Sequence, residues 1–211
     1  ATIFALALAA AADDKAPAKA ALDIGDAAPP FTLLAPNGKA VSLADYKGKI
    51  VVLEETNPEC PFSRRHFDAN TQANLVRKYA RHGVVWLGID STSTHTPAQQ
   101  EAFAKLFNLP YPILSDAAGK VGRAYGMKTT PDVRIVDANG RIAYIGALDD
   151  DPLGQKTDKT TYVAAALEDL LAGRKVAKPR TRTYGCEVQY APEKPEAPDF
   201  TLNDQSGKPV S

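Results

Sequence analysis

The chain has 211 residues, 44% of them hydrophobic and 24% charged, with 25 Lys+Arg against 25 Asp+Glu and a formal net charge of zero. That length builds one full domain with a sizeable core and leaves residues over, while the balanced charge offers neither the basic footprint of a nucleic-acid binder nor a polybasic membrane patch. Two cysteines, Cys60 and Cys186, cannot make a disulfide scaffold or a four-thiolate metal site, which leaves one disulfide or two independent thiols.

In chain order, residues 1–12 (ATIFALALAAAA) are apolar and too short to span a bilayer. They read as the apolar region and A-x-A-like cleavage site of a secretory signal whose basic start is missing. The chain does not begin with Met and is read as a fragment. Residues 1–25 are therefore expected to be a signal-like segment and linker, directing export to the bacterial periplasm. In residues 28–42 (APPFTLLAPNGKAVS) two short apolar runs flank Asn37-Gly38, a hairpin signal. Ile50 to Glu55 is a strand whose unbroken apolar start implies burial on both faces. Pro61 to Tyr79 predicts one helix with Pro61 at its first position, although Phe62, Phe67, Leu75 and Tyr79 do not share one stripe. Gly83 to Asp90 (GVVWLGID) is a second buried strand. A second helix follows Thr96, whose hydroxyl and Gln99 form a capping box.

Further on, Lys120 to Tyr125 predicts a short helix. Asp132 to Ala147 (DVRIVDANGRIAYIGA) alternates and turns at Asn139-Gly140, a second hairpin. After a polar loop, Thr161 to Gly173 (TYVAAALEDLLAG) is an amphipathic helix stopped by Gly173. Strand–helix–strand order with a closing hairpin predicts an α/β fold, a mixed sheet with helices on both faces. The tail repeats the start: Ala197 to Ser211 aligns without gaps to Ala28 to Ser42, identical at nine of fifteen positions. Residues 191–196 read as a Pro-rich linker, and 197–211 as the opening of a second, truncated copy of the domain.

The chemistry centres on Cys60. A cysteine in the first turn of a helix that follows a buried strand faces unpaired N–H groups and the positive end of the helix dipole, which favour the nucleophilic thiolate. Arg64 and Arg65 are expected to add to this, and the flanking Asn-Pro-Glu and Pro to place the thiol on an exposed loop tip. Glu54 and Glu55 close the strand before it; alternation sends them to opposite faces. A carboxyl buried there has a raised pKa suited to acid–base work. For Glu55 the expectation is solvation at the strand end. Cys186 lies past the last helix, beside Gly185 and between Tyr184 and Tyr190, in a tail expected to be mobile enough to visit Cys60 and to dock through its aromatics. His66 is off the face of Cys60, Arg123 is expected to make a surface salt bridge, and Trp86 and Tyr125 to be core.

The stretch VVLEETNPECPFSR resembles the strand–loop–helix of thioredoxin-fold redoxins, the group of AhpC/TSA and TlpA-like proteins. KTTPDVRIVDANGRIAYIGA, DAAGKVGRAYGM and APPFTLLAPNGKAVSLADYKGK fit the same group in the same order. The resemblance implies a thioredoxin-like redoxin domain over residues 26–190. In it Cys60 is the nucleophile of a C-x-x-C-like motif, Glu54 the buried proton shuttle, and Thr130-Pro131 a cis-proline loop that presents backbone groups to the substrate. Two departures matter. The motif reads Cys60-Pro61-Phe62-Ser63, so Ser63 cannot close a disulfide, and either Cys186, as in two-cysteine peroxiredoxins, or an external thiol is expected to resolve Cys60. The peroxiredoxin signature P-x-x-x-T-x-x-C fails, with Leu53 and Asn57 at the Pro and Thr positions.

The function implied is thiol–disulfide exchange by an exported enzyme on a protein or small-molecule disulfide, thiol or peroxide, with an external thiol reductant. No cofactor, metal, nucleic acid or membrane span is called for. The alternatives are a peroxiredoxin-like peroxidase with Cys60 peroxidatic and Cys186 resolving, and a non-catalytic binding module that keeps the fold.

Overall fold

A computed structural model describes residues 21–192, 202–203 and 208–210. The signal-like residues 1–20 and most of the 191–196 linker lie outside them. Among the described residues the strands are β1 (Thr32–Leu34), β2 (Ala40–Ser42), β3 (Val51–Glu55), β4 (Val85–Asp90), β5 (Ile113–Ser115), β6 (Thr129–Thr130), β7 (Asp132–Val136), β8 (Ile142–Gly146), β9 (Cys186–Glu187), β10 (Leu202–Asn203) and β11 (Pro209–Val210). The α-helices are α1 (Pro61–Asp68), α2 (Thr71–Ala80), α3 (Pro97–Leu106), α4 (Lys120–Ala124) and α5 (Tyr162–Leu171).

The sheet is seven-stranded and mixed, in the order β2-β1-β5-β4-β3-β7-β8. Strands β3, β4 and β5 run parallel, and β1 and β7 pair antiparallel to them. β3 is central, and all five of its residues are buried. Its alternate side chains feed two cores. Val51 and Leu53 join Leu87, Ile89, Tyr125 and Met127 on one face. Val52 joins Trp86, Ile135, Tyr144, Val163 and Leu167 on the other. Burial of both faces is what an unbroken Ile-Val-Val-Leu run is for, and the expected α/β mixed sheet with helices on both sides is the observed one. Trp86 and Tyr125 are core, as the sequence implied.

Two elements differ from expectation. Pro61 to Tyr79 is not one helix. Asn70 sits in the left-handed region (φ 53°) and separates α1 from α2, a conformation Asn tolerates better than most residues. The split lets each half pack its own way. Phe67 of α1 stacks against Phe103 and Phe107, whereas Leu75 and Tyr79 of α2 join the core behind Trp86. That is why the four apolar residues fitted no single stripe. The second difference is β5, which the sequence reading did not contain. Three residues preceded by Pro110 and Pro112 carry no legible period, yet they bridge β4 and β1.

Helix α3 has the expected capping box, with Thr96 Oγ1 accepting from Gln99 N (3.3 Å) and Gln99 Oε1 from Thr96 N (2.9 Å). In the tail, β10 pairs with β11 so that Leu202 faces Val210 and Asn203 faces Pro209. In β1–β2, Leu33 faces Val41 and Leu34 faces Ala40. These are the positions that the ungapped alignment superimposes, so the backbone register repeats with the sequence.

Candidate active site

Residues 56–60 leave the C-terminal edge of β3 as a braced loop. Asn57 holds it from both ends of its amide: Nδ2 donates to Thr92 Oγ1 (3.1 Å), and Oδ1 accepts from Glu59 N (2.7 Å). Cys60 N then donates to Asn57 O (3.2 Å). Cys60 is the N-cap of α1, with Pro61 in the first helical position. Its thiol is not at an exposed tip: the residue is 3% exposed. What covers it is the chain's own segment 184–190. β9 lies antiparallel to β6, with Thr130 opposite Cys186 and Thr129 opposite Glu187. The tail expected to be mobile is therefore docked, and it brings Cys186 to Cys60.

Around the sulfur of Cys60 the structure gathers Thr130, Pro131, Ser63 and Cys186. Sγ lies 3.0 Å from the Thr130 carbonyl and 3.4 Å from the Cys186 N–H. The Thr130–Pro131 peptide is cis. Burial pushes the Cys60 thiol up. Hydrogen bonds to the sulfur from the Cys186 thiol and from the backbone N–H groups of Ser63 and Cys186 outweigh that cost, and hold it below the usual thiol value. Cys186 moves the other way, to about 11, through burial and through donating to Cys60. The two sulfurs are thus biased in opposite directions, Cys60 toward the thiolate and Cys186 toward the thiol. Both are free cysteines.

The arginines have no part in this. Arg64 is engaged by Asp68 (3.1 Å) and lies over the Phe107 ring. Arg65 reaches Asp149 (3.2 Å), the carbonyls of Asp151 and Pro152, and Tyr184 Oη (2.9 Å). The expected arginine contribution to Cys60 is replaced by the backbone and Cys186 donors. Ser63 is fully buried, and its hydroxyl has no partner among the described residues.

The paired acids part as alternation requires. Glu54 accepts from Gln72 Nε2 (2.8 Å) and Trp86 Nε1 (2.9 Å), and burial pushes its pKa up to about 7. Its hydrogen bonds go to these two partners and none to Cys60. Glu55 overturns the expectation of strand-end solvation: it is fully buried. Its oxygens lie 3.0 Å from Ser91 N and 2.9 Å from Ser91 Oγ, and that hydroxyl is also 3.0 Å from Asp116 Oδ2. Asp116 Oδ2 accepts the N–H groups of Val121 and Gly122 as well. One hydroxyl hydrogen cannot serve two carboxylates at once, and the fully buried Glu55 is the one that holds a proton. Burial above all, then the fields of Asp90 and Asp116, keeps the Glu55 carboxyl well above the usual range. It is a neutral brace between β3, β4 and α4.

The covering segment is pinned at both ends by the two tyrosines that flank Cys186, on seats that the sequence did not show. At one end Tyr184 donates to Asp149 and lies 2.9 Å from His66 Nε2. His66 is buried away from Cys60, and burial with the Arg65 charge lowers it to about 4, so it is neutral. At the other end Tyr190 donates to Met127 O (2.7 Å), and Arg123 lies over its ring at 4.2 Å while donating to Ala191 O. Tyr190 sits where any side chain at Gly122 would collide with it, and Gly185 (φ 133°) presses on the Thr130 carbonyl. The Asp149–Asp151 run had read only as polar loop; no periodic signal marks such a seat. Among the described residues, no group of three or more His, Cys, Asp or Glu side chains gathers to hold a metal ion.

This arrangement can be set beside known proteins. The sequence profile of the AhpC/TSA family matches residues 24–145. The chain belongs to the AhpC/TSA family. A chloroplastic peroxiredoxin Q from Gentiana triflora is 33% identical over 132 residues, 57% of this chain and 57% of that protein. The thiol-disulfide oxidoreductase ResA from Bacillus thuringiensis subsp. konkukian is 27% identical over 121 residues, 57% of this chain and 68% of that protein. The redoxin therefore has relatives that are thiol oxidoreductases and peroxiredoxins, and the match spans 57% of the peroxiredoxin Q's length. Among solved structures, a conserved protein of uncharacterised function from Geobacillus kaustophilus superposes with a TM-score of 0.76 at 29% identity, covering 82% of this chain and 95% of that one. A candidate thiol:disulfide interchange protein DsbE from Chlorobium tepidum superposes at 0.54 with 26% identity, covering 59% and 85%. The fold is thioredoxin-like.

Proposed function

We propose that this redoxin is a thiol–disulfide oxidoreductase that works as a split cysteine pair, Cys60 as nucleophile and Cys186 as resolving thiol. The observation that carries the reading is the docking of Cys186 on Thr130, where both its N–H and its thiol point at Cys60 Sγ. The Cys60 thiolate attacks one sulfur of a disulfide and expels the other as thiolate, leaving a mixed disulfide. Cys186 loses its proton and attacks Cys60 Sγ, the second substrate thiolate departs, and a Cys60–Cys186 disulfide remains. Two electrons from an external thiol reductant reset the pair. Thr130 and Pro131 position the sulfur. Glu54, neutral below about pH 7 and charged above it, is assigned the proton transfer that accompanies resolution.

The test gives the pre-reduced chain glutathione disulfide with no other thiol present, and adds dithiothreitol only afterwards to reset the pair. Wild type turns over, Cys60→Ser is silent, and Cys186→Ser stops at a mixed disulfide on Cys60. Turnover by Cys60→Ser would refute the assignment.

A peroxidase is the second reading, favoured by the 33% identity to peroxiredoxin Q. Against it, the amide of Asn57, which stands where peroxiredoxins carry their Thr, is committed to Thr92 and Glu59. Peroxide consumption at rates comparable with disulfide reduction would favour this reading. Export is assigned to residues 1–25 and a second domain copy to 197–211, the latter supported by the repeated hairpin register. No helix among the described residues is long and apolar enough to cross a membrane.

A further inference from the structure

The substrate class follows from what occupies the approach to Cys60. A disulfide carried on a polypeptide has to bring an extended backbone alongside the sulfur it offers, and such segments bind by adding a strand to an open edge. Beside Cys60 that edge is β6, because its Thr130 carbonyl is 3.0 Å from Sγ. The edge is taken. β9 pairs with it at Thr129 and Thr130, and Val188 N continues the contact by donating to Lys128 O (3.1 Å). The covering segment presents Cys186 to Cys60 in the manner of a bound disulfide-bearing peptide. It is also fixed. Ser93 N donates to Gln189 O (3.1 Å), Tyr184 is held by Asp149, Arg65 and His66, and Tyr190 is held by Met127 O and Arg123. Gly185 lets the backbone press on Thr130 where a side chain would collide. Displacing it breaks several part-buried hydrogen bonds at once.

We infer that the site takes low-molecular-weight disulfides and excludes disulfides borne on polypeptides, because residues 184–190 fill the strand position from which a peptide would offer its sulfur. This rests on the proposed thiol–disulfide activity. A small disulfide needs no ladder. It needs room for two sulfurs and their immediate substituents, and a collinear approach to Cys60 Sγ. The same cover supplies Cys186 as soon as the mixed disulfide forms, so resolution competes with escape without any folding step.

The experiment compares first-step rates at Cys60 in the full, pre-reduced chain, with glutathione disulfide and with insulin as oxidants, read by rapid acid quench and mass mapping of Cys60. The expected result is at least a tenfold preference for glutathione disulfide in wild type. In Tyr190→Ala, and in Tyr184→Phe with Tyr190→Ala, the ratio falls below about threefold as insulin gains access. Equal wild-type rates overturn the inference while leaving the exchange activity standing. An unchanged ratio in a folded, loosened variant, checked by circular dichroism, also overturns it. Silence of Cys60 toward both disulfides overturns the thiol–disulfide reading itself and this inference with it. The wild-type ratio requires no variant to fold.

Discussion

At Cys60 the balance is between burial, which raises a thiol's pKa, and the Cys186 thiol and backbone N–H donors that lower it. Alkylation of wild type against pH should give a Cys60 midpoint below the ordinary thiol value of about 8.5. In Cys186→Ala, one donor is gone and the midpoint should rise; an unchanged midpoint would remove Cys186 from the site. Arg64→Ala should leave the midpoint in place, since Arg64 spends its charge on Asp68. Glu54 makes a prediction of opposite kind. Unfolded, a glutamate ionises near 4.5; folded, Glu54 holds its proton to about 7. Between those values the folded state binds the extra proton, so the contribution of Glu54 to stability falls as pH rises through the window and levels off above it, by roughly 3–4 kcal/mol. Gln72 Oε1 is buried without a partner among the described residues, so a flipped Gln72 amide can accept from the protonated acid. It can serve Glu54→Gln in the same way. Measured against wild type in urea titrations, that variant should lose this falling contribution between pH 4.5 and 7, with His66 and Glu55 contributing alike to both profiles, and should lose any ionisation near pH 7 from kcat/KM. A difference between the two profiles that stays constant across the window would place the buried proton elsewhere.

Among the elements, the segment that crosses the site decides most. Tyr184→Phe deletes the hydroxyl that joins Asp149, Arg65 and His66, and leaves His66 Nε2 and Asp149 short of a buried partner. The expected cost is about 1–3 kcal/mol, with iodoacetamide reaching Cys60 several-fold faster than in wild type. Faster labelling without loss of stability, or the reverse, would show that the anchor and the cover are separate. What the sequence made legible here was set by local chemistry. The Ile50–Leu53 run, the Thr96 capping box, the Asn-Gly turns and the Thr130-Pro131 pair are each dictated by neighbours along the chain. The docking of β9 on β6, the burial of Glu55 against Ser91, and the break at Asn70 are set by contacts with residues distant in sequence. Cys186 could be named as a partner because it is the only other thiol, but nothing local shows that its backbone closes a ladder with Thr130. The acids at the end of β3 show the same limit: alternation separated Glu54 from Glu55, while the proton on Glu55 follows only from Ser91 and Asp116 meeting it.

For the whole molecule, the repeated hairpin register predicts that residues 197–211 are dispensable to the redoxin domain. The β10–β11 pair forms a two-stranded sheet apart from the seven-stranded one. Deleting 197–211 should move Tm by no more than a degree or two in calorimetry; a large drop would make the tail part of the first domain. The central claim is that Cys60 and Cys186, 126 residues apart in sequence, are one redox unit. Closing so long a loop stabilises the oxidised chain by about 4–5 kcal/mol in the chain-entropy model, an upper figure where geometry adds strain. The direct measurement is peptide mapping of the full chain after one equivalent of diamide. The account predicts an intramolecular Cys60–Cys186 disulfide with both thiols lost together. Oxidation confined to Cys60, as intermolecular dimer or sulfinic acid with Cys186 still free, would contradict it.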